Sequence, residues 1–108
     1  MQNALAALEQ NYMNLNQQLA MLSVNCTPDQ KAALISQVVA ARTAYWSCVN
    51  KAFHDDDPQV VALTNQLNAA NQQIGIAVQN MGDIAATINL ITQAVTVAAS
   101  LAKLVIPV

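Results

Sequence analysis

Two glycines, three prolines and four aromatics among 108 residues are too few for the turns and packing of a β-rich chain, and apolar and polar residues nowhere alternate over a strand's length. Helices and turns remain. Charge is equally scarce: Asp, Glu, Lys and Arg make up 9% of the chain, against roughly 25% in ordinary soluble domains. The four cations, Lys31, Arg42, Lys51 and Lys103, lie far apart in a sequence of net charge -2. No basic run can neutralise several phosphates or hold anionic lipid, so no nucleic acid partner is expected.

One histidine and two cysteines leave little for nucleophilic or metal chemistry. His54-Asp55-Asp56-Asp57 is the only run of metal-ligand residue types. Consecutive side chains diverge, however, and nothing elsewhere supplies the other half of a coordination sphere, so the run reads as a solvated turn. Two glycines make no phosphate-cradling loop. No catalytic residue, cofactor or metal is expected, and the chain reads as not an enzyme. The opening MQNALAALEQ has neither the basic start nor the apolar stretch of a secretory signal. Two cysteines and a weakly charged, amide-rich composition suit an exported protein slightly better than a cytoplasmic one.

What the chain has in abundance is apolar residues, at 55%, and amides, with 23 Asn and Gln together. Leu5, Leu8, Tyr12, Leu15, Leu19 and Leu22 recur at steps of three and four, a heptad pattern that predicts a first helix over about residues 3–23. Thr27-Pro28-Asp29-Gln30 combines a cap, a first-turn proline, an acid at the positive end of the helix dipole and the glutamine of a capping box. A second helix is therefore expected from about 28 to 53. Its inward face would hold Leu34, Ile35, Val38, Tyr45, Val49, Ala52 and Phe53. Asp57 before Pro58 repeats the start signal for a third helix.

From Leu63 the heptad register continues through Met81 and Ile84 to Val105 without a misstep, which by itself predicts one very long helix. Gly82-Asp83 argues otherwise, as a left-handed C-terminal glycine followed by a new cap. The first two helices would also leave anything beyond about residue 81 uncovered. The expected fold is a single all-α domain, an antiparallel up-down helical bundle. It has four helices if the chain turns at Gly82-Asp83, with the third over about 58–81 and the fourth over about 83–105, and otherwise three with a very long last helix.

Residues 84–102 carry no charge at all, enough length for a bilayer span. On a helical wheel Asn89, Gln93, Thr96, Ser100 and Lys103 share one stripe and apolar residues fill the rest. The expected function is a non-enzymatic helical interaction or scaffold module, a homo-oligomer or partner-binding protein. Its contact surface would be Ile84, Ile88, Ile91, Val95, Leu101 and Leu104, with Trp46 as an aromatic anchor. The alternative is a membrane-active protein, a pore former or anchored subunit, that inserts residues 84–106 and lines a polar interior with the stripe. Arg42, set among apolar residues of the second helix, is expected to pair with Glu9, the only glutamate, across the first hairpin. A straight second helix would hold Cys26 and Cys48 on the order of 30 Å apart, so the cysteines are expected free or bridged between chains.

Overall fold

Three of the four helices begin on the capping side chain that the sequence supplies. The computed structural model describes residues 3–24, 26–49, 51–54, 56–80 and 83–105, with no strand among them. Its helices are α1 (Asn3–Ser23), α2 (Pro28–Trp46), α3 (Pro58–Asn80) and α4 (Ile84–Ala102). Thr27 and Gln30 form the reciprocal capping box, the Gln30 amide donating to Thr27 Oγ1 at 3.2 Å and the Thr27 amide to Gln30 Oε1 at 3.0 Å. Asp57 Oδ1 accepts from the Gln59 amide at 2.8 Å. Asp83 Oδ1 accepts from the Ala86 amide at 3.2 Å, its backbone extended at φ -144 and ψ 106. The C-terminal half is therefore two helices rather than one. The left-handed glycine expected at Gly82 lies outside the described residues.

α1 lies against α2 and α3, α4 lies against α2 and α3, and α1 also reaches α4 across the centre. Among the described residues α2 and α3 do not touch. α1 packs on α2 and α3 on α4 as two antiparallel hairpins. The Cys48 thiol, just past the end of α2, lies 3.8 Å from the Ala102 carbonyl at the end of α4, so α2 and α4 run side by side in the same direction. Successive helices alternate up and down, but residues 47–57 join the hairpins by crossing the end of the bundle diagonally. The molecule measures 41 × 21 × 18 Å, its long axis set by α3, whose 23 residues span about 35 Å.

The second helix stops seven residues short of its expected end. Ser47 Oγ bonds back to the Ala44 carbonyl at 2.9 Å, and the amides of Cys48 and Val49 reach back three residues instead of four. Burial explains the stop. In a continued helix Phe53 would lie about five turns beyond Ile35 and on the same line, and that line faces solvent. Cys48, four residues past Ala44, stays on the buried face, and leaving the helix lets Phe53 turn into the core beside it at the end of the bundle.

The buried face of α2 also differs from the expected one. Leu34, Val38, Ala41 and Ala44 are inside, whereas Ile35 is 43% exposed and Arg42 stands in solvent. Alanines allow a close helix approach, so α2 presents its small residues to α1 and α4 and turns larger ones out. In α1 and α3 the leucine pattern holds, but it admits two amides. Asn11 donates to Asn71 Oδ1 at 2.9 Å inside the bundle, and Asn71 donates to the Ala7 carbonyl at 3.4 Å. This pair locks the register of α1 against α3, as a lone buried asparagine does in coiled coils.

Candidate interaction face

Rotating α2 by its alanines decides where every aromatic near it goes. Tyr45 stacks on Tyr12 of α1, with centroids 6.2 Å apart at 21°, and meets Trp46 at 5.7 Å and 58°. Three of the chain's four aromatics thus form one cluster at the α1/α2 edge. Its outermost member, Trp46, is 60% exposed. Tyr12, Arg42, Thr43, Trp46 and Ser47 line an open cleft of about 750 Å³.

The Tyr45 hydroxyl donates to Glu9 Oε2 at 2.9 Å. That bond, with partial burial and the negative charge of Glu9 acting in the same sense, raises the pKa of the phenol above its ordinary value of 10.0. Glu9 therefore does reach across the first hairpin, but to Tyr45 and not to Arg42. Among the described residues Arg42 makes no ion pair. Arg42 would lie mid-face only if Ile35 were inward and the helix ran on to Phe53, and with Leu34, Val38, Ala41 and Ala44 inside the guanidinium faces water.

Along the same outer face, Ile35 and Val39 are 43% and 47% exposed and fall in line with Trp46 at helical spacing. Large apolar residues in line with an exposed tryptophan, and an arginine beside it, have the composition of interface hot spots. Of this set the sequence points to Trp46 as a contact and to Arg42 only as a partner for Glu9. Ile35 reads as inward by its spacing, and Val39 carries no signal of its own.

The apolar residues of α4 are placed differently. Ile91, Val95 and Leu101 are buried, and Ile84, Ile88 and Leu104 are half-buried. The hairpins close over this face, so in the folded chain Ile91, Val95 and Leu101 are core rather than contact surface. The polar stripe of Asn89, Gln93, Thr96 and Ser100 is exposed. By length and composition α4, with mean hydropathy 1.6, could cross a membrane. In the folded chain 33% of that stretch is buried, and the rest is half-buried or exposed.

Both cysteines are free. The Cys26 thiol donates to the Leu22 carbonyl at 3.1 Å and is partly exposed, while Cys48 is fully buried under the end of α4. A bridge between chains through Cys48 would require that end to open. His54 and Asp56 are exposed and Asp57 is occupied as a cap; Asp55 lies outside the described residues. Among the described residues no three metal-ligating side chains converge. A second cleft, of about 390 Å³ between α1 and α3, is lined by amides alone, Gln10, Asn14, Asn68, Asn71 and Gln72. Compared with known proteins, the chain matches no family model, no curated protein and no solved structure.

Proposed function

We propose that this protein is a non-enzymatic helical interaction module, and that its contact face is the outer side of α2 centred on Trp46. One observation carries the reading: the single tryptophan of the chain stands 60% exposed at the rim of a cleft of about 750 Å³, on a helix whose other outward apolar residues line up with it. A core-filling tryptophan would be inside, since burying so large a ring is worth several times the burial of a methyl group. Ile91, Val95 and Leu101 of α4 are core, whereas α2 turns three large apolar residues outward in one line, Ile35, Val39 and Trp46, against two on α1, Met13 and Met21, and two on α3, Val61 and Ile76.

The test is site-specific photo-crosslinking in the native cell. A photoreactive residue at Val39 or Trp46 should give discrete adducts, and the same residue at Gln66, exposed on α3, should give none. An adduct of twice the chain mass identifies a second copy, and any other discrete mass a different partner. The same diffuse background from all three positions would end the interaction reading.

A further inference from the structure

Five amides close on one space at the α1/α3 seam. Gln10 and Asn14 stand one turn apart on α1, Asn68, Asn71 and Gln72 share a face of α3, and together they line the cleft of about 390 Å³. Among the described residues no charged, aromatic or aliphatic side chain lines it. Its surroundings are equally neutral: α3 carries no charge, and Glu9, the one charge of α1, turns to Tyr45 on the α2 side. Tyr12, two residues from both Gln10 and Asn14, also faces α2, so this cleft and the one beside Trp46 lie on different sides of α1.

Behind the cleft wall a chain of hydrogen bonds runs in one direction and stops short of a donor. It starts at the Ala7 carbonyl, which can only accept, and which receives the Asn71 side-chain amide at 3.4 Å. That fixes the Asn71 oxygen toward Asn11, whose Nδ2 donates to it at 2.9 Å. Turning over either amide would set oxygen against oxygen. The remaining atom, Asn11 Oδ1, is therefore an acceptor by necessity, and it is buried with no partner among the described residues. A buried acceptor without a donor is costly. This oxygen sits on the same terminal amide as the nitrogen bonded to Asn71, so it is one amide width from a residue of the cleft wall.

The lining selects a ligand by elimination. An ion would find no countercharge, an apolar molecule no apolar wall, and a nucleobase no ring to stack on. Each wall amide offers an acceptor oxygen and a donor nitrogen side by side, which two neighbouring hydroxyls can meet, one donating and one accepting. Five such groups approaching from two helices call for hydroxyls around the whole edge of the ligand. A hydroxyl directed inward also brings the donor that Asn11 Oδ1 lacks. The volume lies near the lower end of the roughly 300–1,000 Å³ of small-molecule sites, which suits one ring.

We propose that the α1/α3 cleft binds a single ring of a neutral sugar, held by Gln10, Asn14, Asn68, Asn71 and Gln72, with Asn11 Oδ1 as the buried acceptor. The site is separate from the interaction face on α2, and neither depends on the other.

The test is an NMR titration of the side-chain amide signals with D-glucose, D-galactose and D-mannose. At least one sugar should shift the signals of Asn68, Asn71 and Gln72 along saturating curves and leave the Trp46 indole signal in place. Asn68→Ala and Gln72→Ala, both at exposed positions, should each weaken that binding roughly threefold or more, and Ser100→Ala, exposed on α4, should leave it unchanged. Circular dichroism checks that the variants are folded. The methyl glycoside of the sugar that binds then identifies the source: retained binding marks the end ring of a glycan, and its loss marks the free sugar.

Unchanged binding in both α3 variants would overturn the site. Saturation of the same signals by propionamide, with no response to any sugar, would overturn the proposal in favour of an amide ligand. Shifts that rise linearly with all three sugars at every exposed amide, or no shift at all, would mean that water alone fills the cleft, and the proposal would fall. The crosslinking result bears only on the α2 face and is untouched by any of these outcomes.

Discussion

A phenol bonded to a carboxylate gives the α1/α2 edge a titratable clasp. Tyr45 loses its proton less readily when folded because the anion would forfeit the bond to Glu9 and sit beside its charge. Since folding raises this pKa, the clasp contributes fully below about pH 10, the ordinary value for tyrosine, and its contribution fades as pH rises through the folded value. Tyrosinate absorbance, with the Tyr45 contribution assigned by its loss in Tyr45→Phe, should show Tyr45 titrating late, and Glu9→Gln should bring it back toward the ordinary value. A Tyr45 titration unchanged by Glu9→Gln would remove the clasp. Elsewhere, Thr64 Oγ1 is buried with no hydrogen-bond partner among the described residues. Thr64→Val keeps the shape and deletes the unmatched hydroxyl, so it should raise stability by about 1 kcal/mol in denaturant unfolding. A loss of stability would mean that the hydroxyl is bonded after all.

Element by element, the chain announces where helices start more clearly than where they stop or how they are turned. Thr27, Asp57 and Asp83 each mark a start through a side chain that reaches its own next turn, a local interaction visible in a short window of sequence. The end of α2 has no such mark. It depends on Phe53 finding the core, and the core at that end is built partly by α4, far away in sequence. The rotation of α2 was illegible for a related reason: Ile35 and Ala41 are both apolar, and only close packing against two neighbours favours the alanine. That one rotation carries Arg42 to solvent, sets Tyr45 opposite Glu9 and exposes Ile35 and Val39, so the pairing and the outward face depend on the same tertiary choice. In α3, Gly75 occupies a helix interior, and a β-carbon there would meet nothing within 4 Å. Gly75→Ala should therefore stabilise by about 1 kcal/mol, chiefly by restricting the unfolded chain. A lower midpoint in denaturant would show that α3 needs a glycine at that point.

For the molecule as a whole, the two thiols sample two different openings. Cys26 lies in the turn between α1 and α2 and is partly exposed, while Cys48 is sealed where α2, α4 and the crossing segment meet. A thiol reagent should modify Cys26 in the native state and Cys48 only as fast as the bundle opens, giving two phases that merge in denaturant. A single fast phase of both thiols would show that end of the bundle to be loose. The crossing of residues 47–57 has a consequence of its own. It is the sole covalent tie between two hairpins that otherwise meet only through side chains, α2 on α4 and α1 on α3 and α4. If that tie straightens, one molecule can hand its α3/α4 hairpin to a neighbour and accept the neighbour's in return, and each rebuilt bundle recovers the same core. Such exchanged dimers would accumulate in concentrated solution, persist on dilution because reverting requires both cores to unpack, and become the favoured species if residues 47–57 were shortened until the tie no longer reached across.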